Sequence, residues 1–188
     1  SREDGCITGQ YLDIYSKLAD GGTGLIITGH TYIDKTGANG PHMAGIHDDS
    51  VIEPLSNVVK TVHEKGAKII LQISHCGRQT RFTFDGSAPP APSVVQAPGS
   101  LMPREMTHNE IEQLIRSFIN AAGRAKSAGF DGVELHGAHG YLISQFVSPF
   151  TNRRTDEWGG SFENRFRFVK EIISGIKAEY PEFPLLIK

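Results

Sequence analysis

The sequence predicts an α/β protein and, within that class, part of a (βα)8 barrel. Three observations carry the prediction. Short apolar runs alternate with segments of helical periodicity along the whole chain, as a parallel sheet with crossover helices requires. The connections from helix into strand are tight and glycine-bearing: Gly21 to Thr23, Gly66-Ala67 and Gly129-Phe130. The connections from strand into helix are long and polar, so the spare chain gathers at the carboxyl ends of the strands, where a barrel builds its site. A doubly wound sheet also uses that edge, but it would show a glycine fingerprint directly after an early strand. The glycines of GGTGLI precede their strand and read as a helix stop.

Residues 9 to 20 form the first expected helix, with Tyr11, Leu12, Tyr15, Leu18 and Ala19 on one face and Thr8 as cap. Gly24 to Thr28 (GLIIT) reads as a strand buried on both faces. The second helix is expected from Ser50, where Ser50 and Glu53 have capping-box spacing, and Val51, Leu55, Val58, Val59 and Val62 form its apolar stripe. Lys68 to Ser74 (KIILQIS) is a second buried strand, followed by a long Pro-, Ala- and Ser-rich loop from His75 to Met106. Thr107 and Glu110 form another capping box, opening a helix with Ile111, Leu114, Ile115, Phe118, Ile119 and Ala122 on one face. Asp131 to His136 is the third strand. A last helix is expected near Ser161 with Phe162, Phe166, Val169, Ile172, Ile173 and Ile176, and Pro184 to Lys188 is a fourth strand.

A complete barrel needs eight strands and roughly 250 residues. The 188-residue chain supplies about strands two to five, so the expectation is a single incomplete barrel domain over residues 1–188, lacking the first strand and the C-terminal half. A net charge of −2 gives no footprint for nucleic acid, and no apolar run is long enough to span a bilayer. Cys6 and Cys76 lie far apart in no metal-ligand spacing, which favours a reducing cytoplasm over a disulfide framework.

Chemistry concentrates in Gly132 to Phe150, GVELHGAHGYLISQFVSPF. Three of the eight histidines, His30, His75 and His136, fall at strand ends, and His139 follows one short turn later. For His30 and His75 the plainer role of capping backbone carbonyls carries more weight; for His136 with His139 chemistry does. The HGAH spacing admits a metal site completed by a carboxylate such as Glu134, although no third ligand stands at fixed spacing. It also admits two neutral imidazole donors that polarise one substrate oxygen. Tyr141 is then placed to give a proton, or it is a core aromatic packed with Leu142 and Phe146. Gln72 is an amide in an otherwise apolar strand, serving either a structural hydrogen bond or the edge of a heteroaromatic cofactor. Lys188 is either a solvated strand-end charge or a cation beside an anionic ring. Cys76 beside His75 suggests a thiol nucleophile, but adjacent strand residues point to opposite faces. The run Thr151 to Arg165 (TNRRTDEWGGSFENR) reads as a hydrogen-bonded turn leading into the last helix.

At HGAHGYLISQFVSPFTNRRTDEWGGSFENR the sequence strongly resembles the Old Yellow Enzyme family of flavin-dependent ene-reductases, and the match extends outward through GLIIT, KIILQISHCGR and PLLIK. The resemblance implies a (βα)8 barrel holding FMN at its carboxyl face. It further implies hydride passing from NADH or NADPH through the flavin to an activated alkene such as an enone. His136 and His139 look like the pair that holds the substrate oxygen, and Tyr141 like the proton donor or a substrate contact. Gln72 looks like the contact to the flavin pyrimidine edge, and Lys188 like a basic residue near flavin N1. Gly29 and His30 resemble a backbone contact to the isoalloxazine, where a histidine is a departure that could reach the ring or substrate. The flavin phosphate is expected on loops after strands seven and eight, so the chain alone is expected to bind FMN weakly or not at all and to be inactive. A homo-oligomer is compatible with the family. The competing expectations are a metal-dependent hydrolase built on His136 and His139, and a non-catalytic half-barrel.

Overall fold

A computed structural model describes residues 1–188. The chain forms α1 (Gly9–Asp20), β1 (Leu25–Ile27), β2 (Thr31–Tyr32), α2 (Ile52–Glu64), β3 (Lys68–Ser74), β4 (Pro90–Ala91), β5 (Arg104–Glu105), α3 (His108–Ser127), β6 (Gly132–Leu135), α4 (Leu142–Val147), α5 (Phe162–Glu179) and β7 (Leu185–Ile187). The main sheet is wholly parallel in the order β1-β3-β6-β7, with β2 pairing the far end of β3. This is a partial (βα)8 barrel.

The parallel register divides the side chains by face. Ile26, Ile69, Leu71, Ile73, Val133 and Leu135 point outward into one core with the helices. Period-2 alternation therefore turns Leu25, Ile27, Ile70, Gln72 and Glu134 inward. No second layer of this chain covers that inner face, so Leu25 and Ile27 are 51% and 41% exposed. The strand is thus buried on one face only, in contrast to the two-faced burial that its apolar run suggested.

The outer core is aromatic where α3, α4 and α5 meet. The Phe146 and Phe168 rings stack at 4.1 Å between centroids, and Phe118 meets Phe168 edge-on at 6.2 Å. Gly175 lets α5 approach α3, since a Cβ there would collide with the Ile119 side chain. Helix α3 starts in the expected capping box, with reciprocal bonds between Thr107 and Glu110, and Ser161 caps α5 through Asn164 N–H.

Several local expectations fail for identifiable reasons. The Ser50–Glu53 capping box does not form. Asp48 takes the Ser50 N–H at 2.9 Å, closing a 3-10 turn over Asp49–Val51, and α2 begins only at Ile52. Thr8 occupies the cap position of α1 without a side-chain bond. Leu18, Phe162 and Phe166 are exposed on helix flanks, Phe162 and Phe166 stacking on one another at 5.7 Å. The loop from His75 to Met106 contains the two-residue parallel ladder of β4 with β5.

That loop is tied to the run following α4 by Arg154. Its buried guanidinium donates to both Asp156 carboxylate oxygens and to the Met106 carbonyl at 2.7 Å. Asn152 donates to the Phe146 and Trp158 carbonyls, so Thr151 to Arg165 is the hydrogen-bonded turn that its composition suggested.

Truncating Phe168 removes both aromatic contacts and opens a cavity, so Phe168→Ala is expected to cost ~3–5 kcal/mol. Thr107→Ala loses only a cap and is expected to cost ~1 kcal/mol. Urea unfolding of both variants checks the ratio; equal losses would contradict the placement of Phe168 at the centre of the core.

Candidate active site

The carboxyl ends of β1, β3, β6 and β7 open into a cleft of about 690 Å³. Ile27, Thr28, Gly29, His30, Gln72, Glu134, His136, His139, Tyr141 and Lys188 line it. Every site residue expected from the sequence is thus in one cleft, and Glu134 joins them. A second cleft of about 710 Å³ lies against α3 around Asn120, Arg124 and Tyr180, away from the strand ends.

His136 leaves the end of β6 with its ring 4.9 Å from His139 and 4.8 Å from Tyr141, centroid to centroid, each at 72°. His136 Nδ1 accepts the Ala138 N–H at 3.3 Å, which leaves the proton of the neutral ring on Nε2. Burial, followed by the nearby His30, His139 and Lys188, lowers the His136 pKa to about 4, so the ring is neutral across the physiological range. His139 has a φ of 57°, the one non-glycine residue with left-handed backbone. Such a conformation persists where neighbours enforce it. Here the His139 carbonyl accepts from Gln79 Nε2 at 2.6 Å and the Gly140 carbonyl from Gln145 Nε2 at 2.7 Å.

Gln145 is the main residue that sequence reasoning missed. Its buried amide also donates to the Cys76 carbonyl and accepts the Arg78 N–H, joining the loop after β3 to the loop after β6. A buried glutamine in the otherwise apolar LISQF turn was the available signal. Ser144, donating to the Gly137 carbonyl at 2.9 Å, completes the support.

His30 stacks on Tyr141 at 5.1 Å and 16° and meets His136 edge-on at 5.8 Å, while its Nδ1 lies 3.0 Å from Ser74 Oγ. Its pKa is lowered by burial and then by His139. The Tyr141 hydroxyl pKa is raised, chiefly by burial. Of the two backbone groups expected at this strand end, the Gly29 N–H is taken by Tyr15 Oη at 2.8 Å. The His30 N–H makes no hydrogen bond within the chain.

His75 faces away from this cluster. Its Nδ1 accepts the Gly77 N–H, and Nε2 bonds Thr36 Oγ1, whose hydroxyl donates to Asp34. Full burial lowers its pKa to about 4. The structural role is therefore the one His75 fills. Cys76 is buried with its thiol pushed up to about 12, which removes the thiolate reading. No group of three or more His, Cys, Asp or Glu side chains is disposed to share a metal ion.

An isoalloxazine ring needs a flat cleft, donors and acceptors along its pyrimidine edge, and an N–H toward its central ring. The chain presents the unpaired His30 N–H, the Gln72 side-chain amide and the Lys188 ammonium on one cleft, so these residues fit the ring.

Comparison with known proteins gives a family and relatives of the same fold. Residues 1–182 match the family described as NADH:flavin oxidoreductase / NADH oxidase. The chain is 49% identical over 182 residues to NADH oxidase of Thermoanaerobacter brockii, a match covering 94% of this chain and 28% of that protein. It is 43% identical over 190 residues to NADPH dehydrogenase of Clostridium acetobutylicum, covering 100% of this chain and 56% of that protein. The fold superimposes on an old yellow enzyme homologue from Zymomonas mobilis with a TM-score of 0.93 at 34% identity, over 100% of this chain and 55% of that one. Morphinone reductase superimposes with a TM-score of 0.92 at 33% identity, over 99% and 54%. The chain therefore spans about half the length, or less, of the relatives it matches. Fold and matches together define a segment of a (βα)8 barrel. The chain belongs to the NADH:flavin oxidoreductase / NADH oxidase family.

Burying neutral His75 and His136 makes the unfolded chain the better proton acceptor below its ordinary histidine pKa of about 6.5. Stability is therefore expected to fall as pH drops from about 6.5 toward the folded value of about 4. Urea midpoints at pH 7 and pH 5 check the slope, and NMR titration of the His136 ring checks its source. An inflection of that ring near neutrality would contradict the burial argument.

Proposed function

We propose that residues 1–188 form one part of the barrel of an oxidoreductase that uses FMN and NADH or NADPH to reduce an activated C=C bond, as in an enone. FMN, when bound, supplies the hydride transfer; everything else here concerns the chain's own residues. The observation that carries the reading is the pair of imidazoles beside Tyr141, with His136 Nδ1 occupied so that Nε2–H is the free donor. His136 and His139 would donate to the activating oxygen of the substrate. Such bonds strengthen as negative charge gathers on that oxygen, which lowers the barrel enzyme's barrier without holding the neutral substrate too tightly. Tyr141, kept protonated by burial, would deliver its Oη proton to the substrate carbon. Gln72, Lys188 and the His30 N–H would hold the ring, with Gly29 shaping the turn beneath it.

The domain reading follows the same line. The chain covers 54–56% of several relatives, and its inner face is open at Leu25 and Ile27, so the activity is assigned to the complete barrel. A small-molecule alkene is the partner favoured, with a homo-oligomer compatible. No helix is long and apolar enough to cross a membrane. Both cysteines are free thiols, which suits a reducing cytoplasm.

The test is NADPH and NADH oxidation with 2-cyclohexenone by the FMN-loaded complete barrel that carries these residues. His136→Ala is expected to lower kcat/KM by roughly 10²-fold or more, as loss of an oxyanion donor does. Tyr141→Phe is expected to act mainly on kcat, within the roughly 10²–10⁴-fold range of general acids. The 188-residue chain alone is expected to retain little FMN. Stoichiometric flavin in that chain would overturn the domain reading, and full enone activity in His136→Ala would overturn the site.

A further inference from the structure

The inner face of the sheet carries one carboxylate that the proposed chemistry does not use. Glu134 sits mid-strand in β6, directly opposite Gln72 of β3 in the parallel register, and both are buried. Gln72 Nε2 donates to Glu134 Oε1 at 2.5 Å. The backbone N–H of Gln72 is separately taken by Thr28 Oγ1 at 3.0 Å, so the strand beneath the side chain is fixed as well.

An amide can be turned end for end at little steric cost, and its partners decide which end faces where. A carboxylate only accepts. Glu134 therefore fixes the NH2 end of Gln72 against β6 and leaves the amide oxygen without a partner inside the chain. A second amide at position 134 could not do this, because it would accept or donate equally well.

We infer that Glu134 is a positioning residue that locks the Gln72 amide with its oxygen free for the cleft, making this edge selective for a ring N–H donor. The inference rests on the flavin reading above and deepens it: the ligand class is a heteroaromatic ring with an imide-type N–H between two carbonyls. A ring carrying an alkyl group at that nitrogen would meet the Gln72 oxygen with no proton to offer. Desolvating that oxygen without a partner is costly, so discrimination is expected to be large.

Two measurements separate the lock from the flavin. In the ligand-free 188-residue chain, the two Gln72 side-chain amide protons are expected to be well separated in a ¹H–¹⁵N spectrum, with one shifted downfield by the carboxylate. In Glu134→Ala and in the isosteric Glu134→Gln they are expected to move toward ordinary glutamine positions, while the backbone spectrum stays that of the folded chain. In the complete barrel, binding of FMN is expected to be at least tenfold tighter than that of 3-methyl-FMN, and the ratio is expected to fall toward one in Glu134→Gln. Gln72 signals unchanged in both variants would overturn the positioning role, whether or not flavin binds. An unchanged ratio in Glu134→Gln would overturn the selectivity. Failure of the complete barrel to bind FMN would sink the flavin reading while the Gln72 signals still decide the lock.

Discussion

The register between β3 and β6, running from Ile70 opposite Gly132 to Ile73 opposite Leu135, is the constraint on which the rest depends. It sends Ile69, Leu71, Ile73, Val133 and Leu135 to the helices and turns Gln72 and Glu134 to the cleft. A one-residue slip of β6 would turn Glu134 under the helices and Val133 and Leu135 into the cleft, and a slip of β3 would do the same to Gln72 against Ile69, Leu71 and Ile73. Each of those apolar side chains is worth ~1.5–3 kcal/mol when removed from water. The hydrophobic term therefore also fixes where the site chemistry points, and it does so without any contact to a ligand.

Beyond the strand ends the backbone loses the ladder, and buried amides take over. Gln145 satisfies carbonyls of Cys76 and Gly140 and receives the Arg78 N–H, so the two loops that follow β3 and β6 share one hydrogen-bond hub. Gln79 then holds the His139 carbonyl, and a histidine is kept in left-handed backbone. Arg154 performs the same service one layer out, drawing the carbonyl of Met106 and the Asp156 carboxylate together from β5 and the turn before α5. Loops built this way can carry directed side chains because their own polar groups are already satisfied.

Much of this was legible in the sequence, and the division is physical. Long helices with a capping box, as at Thr107–Glu110, and short apolar runs directly after a glycine-bearing helix stop are local signals, and these elements stand where expected. The clustering of His136, His139 and Tyr141 was legible because all three lie within six residues of one strand end. What was not legible joins distant segments. The partners of Gln145 lie 69 and 67 residues away at Cys76 and Arg78, and those of Gln72 and Glu134 are 62 residues apart. The failed Ser50 cap shows a local competition instead: Asp48, two residues earlier, accepts both the N–H and the hydroxyl of Ser50, so Glu53 is left without either. The exposed Leu25 and Ile27 show the reverse limit, since an apolar run reports that burial is wanted and not which layer provides it.

The electrostatics of the cleft explain why imidazoles suit the proposed role better than cations would. His30, His136 and His139 lie close together with the Lys188 ammonium nearby, and burial already disfavours a charged ring. Burial first, and the neighbouring rings after it, disfavour the charged form of His136 and of His30. A neutral donor interacts weakly with a ground-state carbonyl and strongly with an oxygen that is gaining charge, whereas an imidazolium would grip both and could lose its proton to the product oxygen. In the proposed reaction proton delivery would fall to Tyr141, whose hydroxyl pKa burial raises while it lowers that of the His136 ring, so that both are uncharged near neutral pH. Holding an oxygen and supplying a proton would thus fall, in the proposed reaction, to different groups, His136 and Tyr141, whose pKa values the same burial drives in opposite directions.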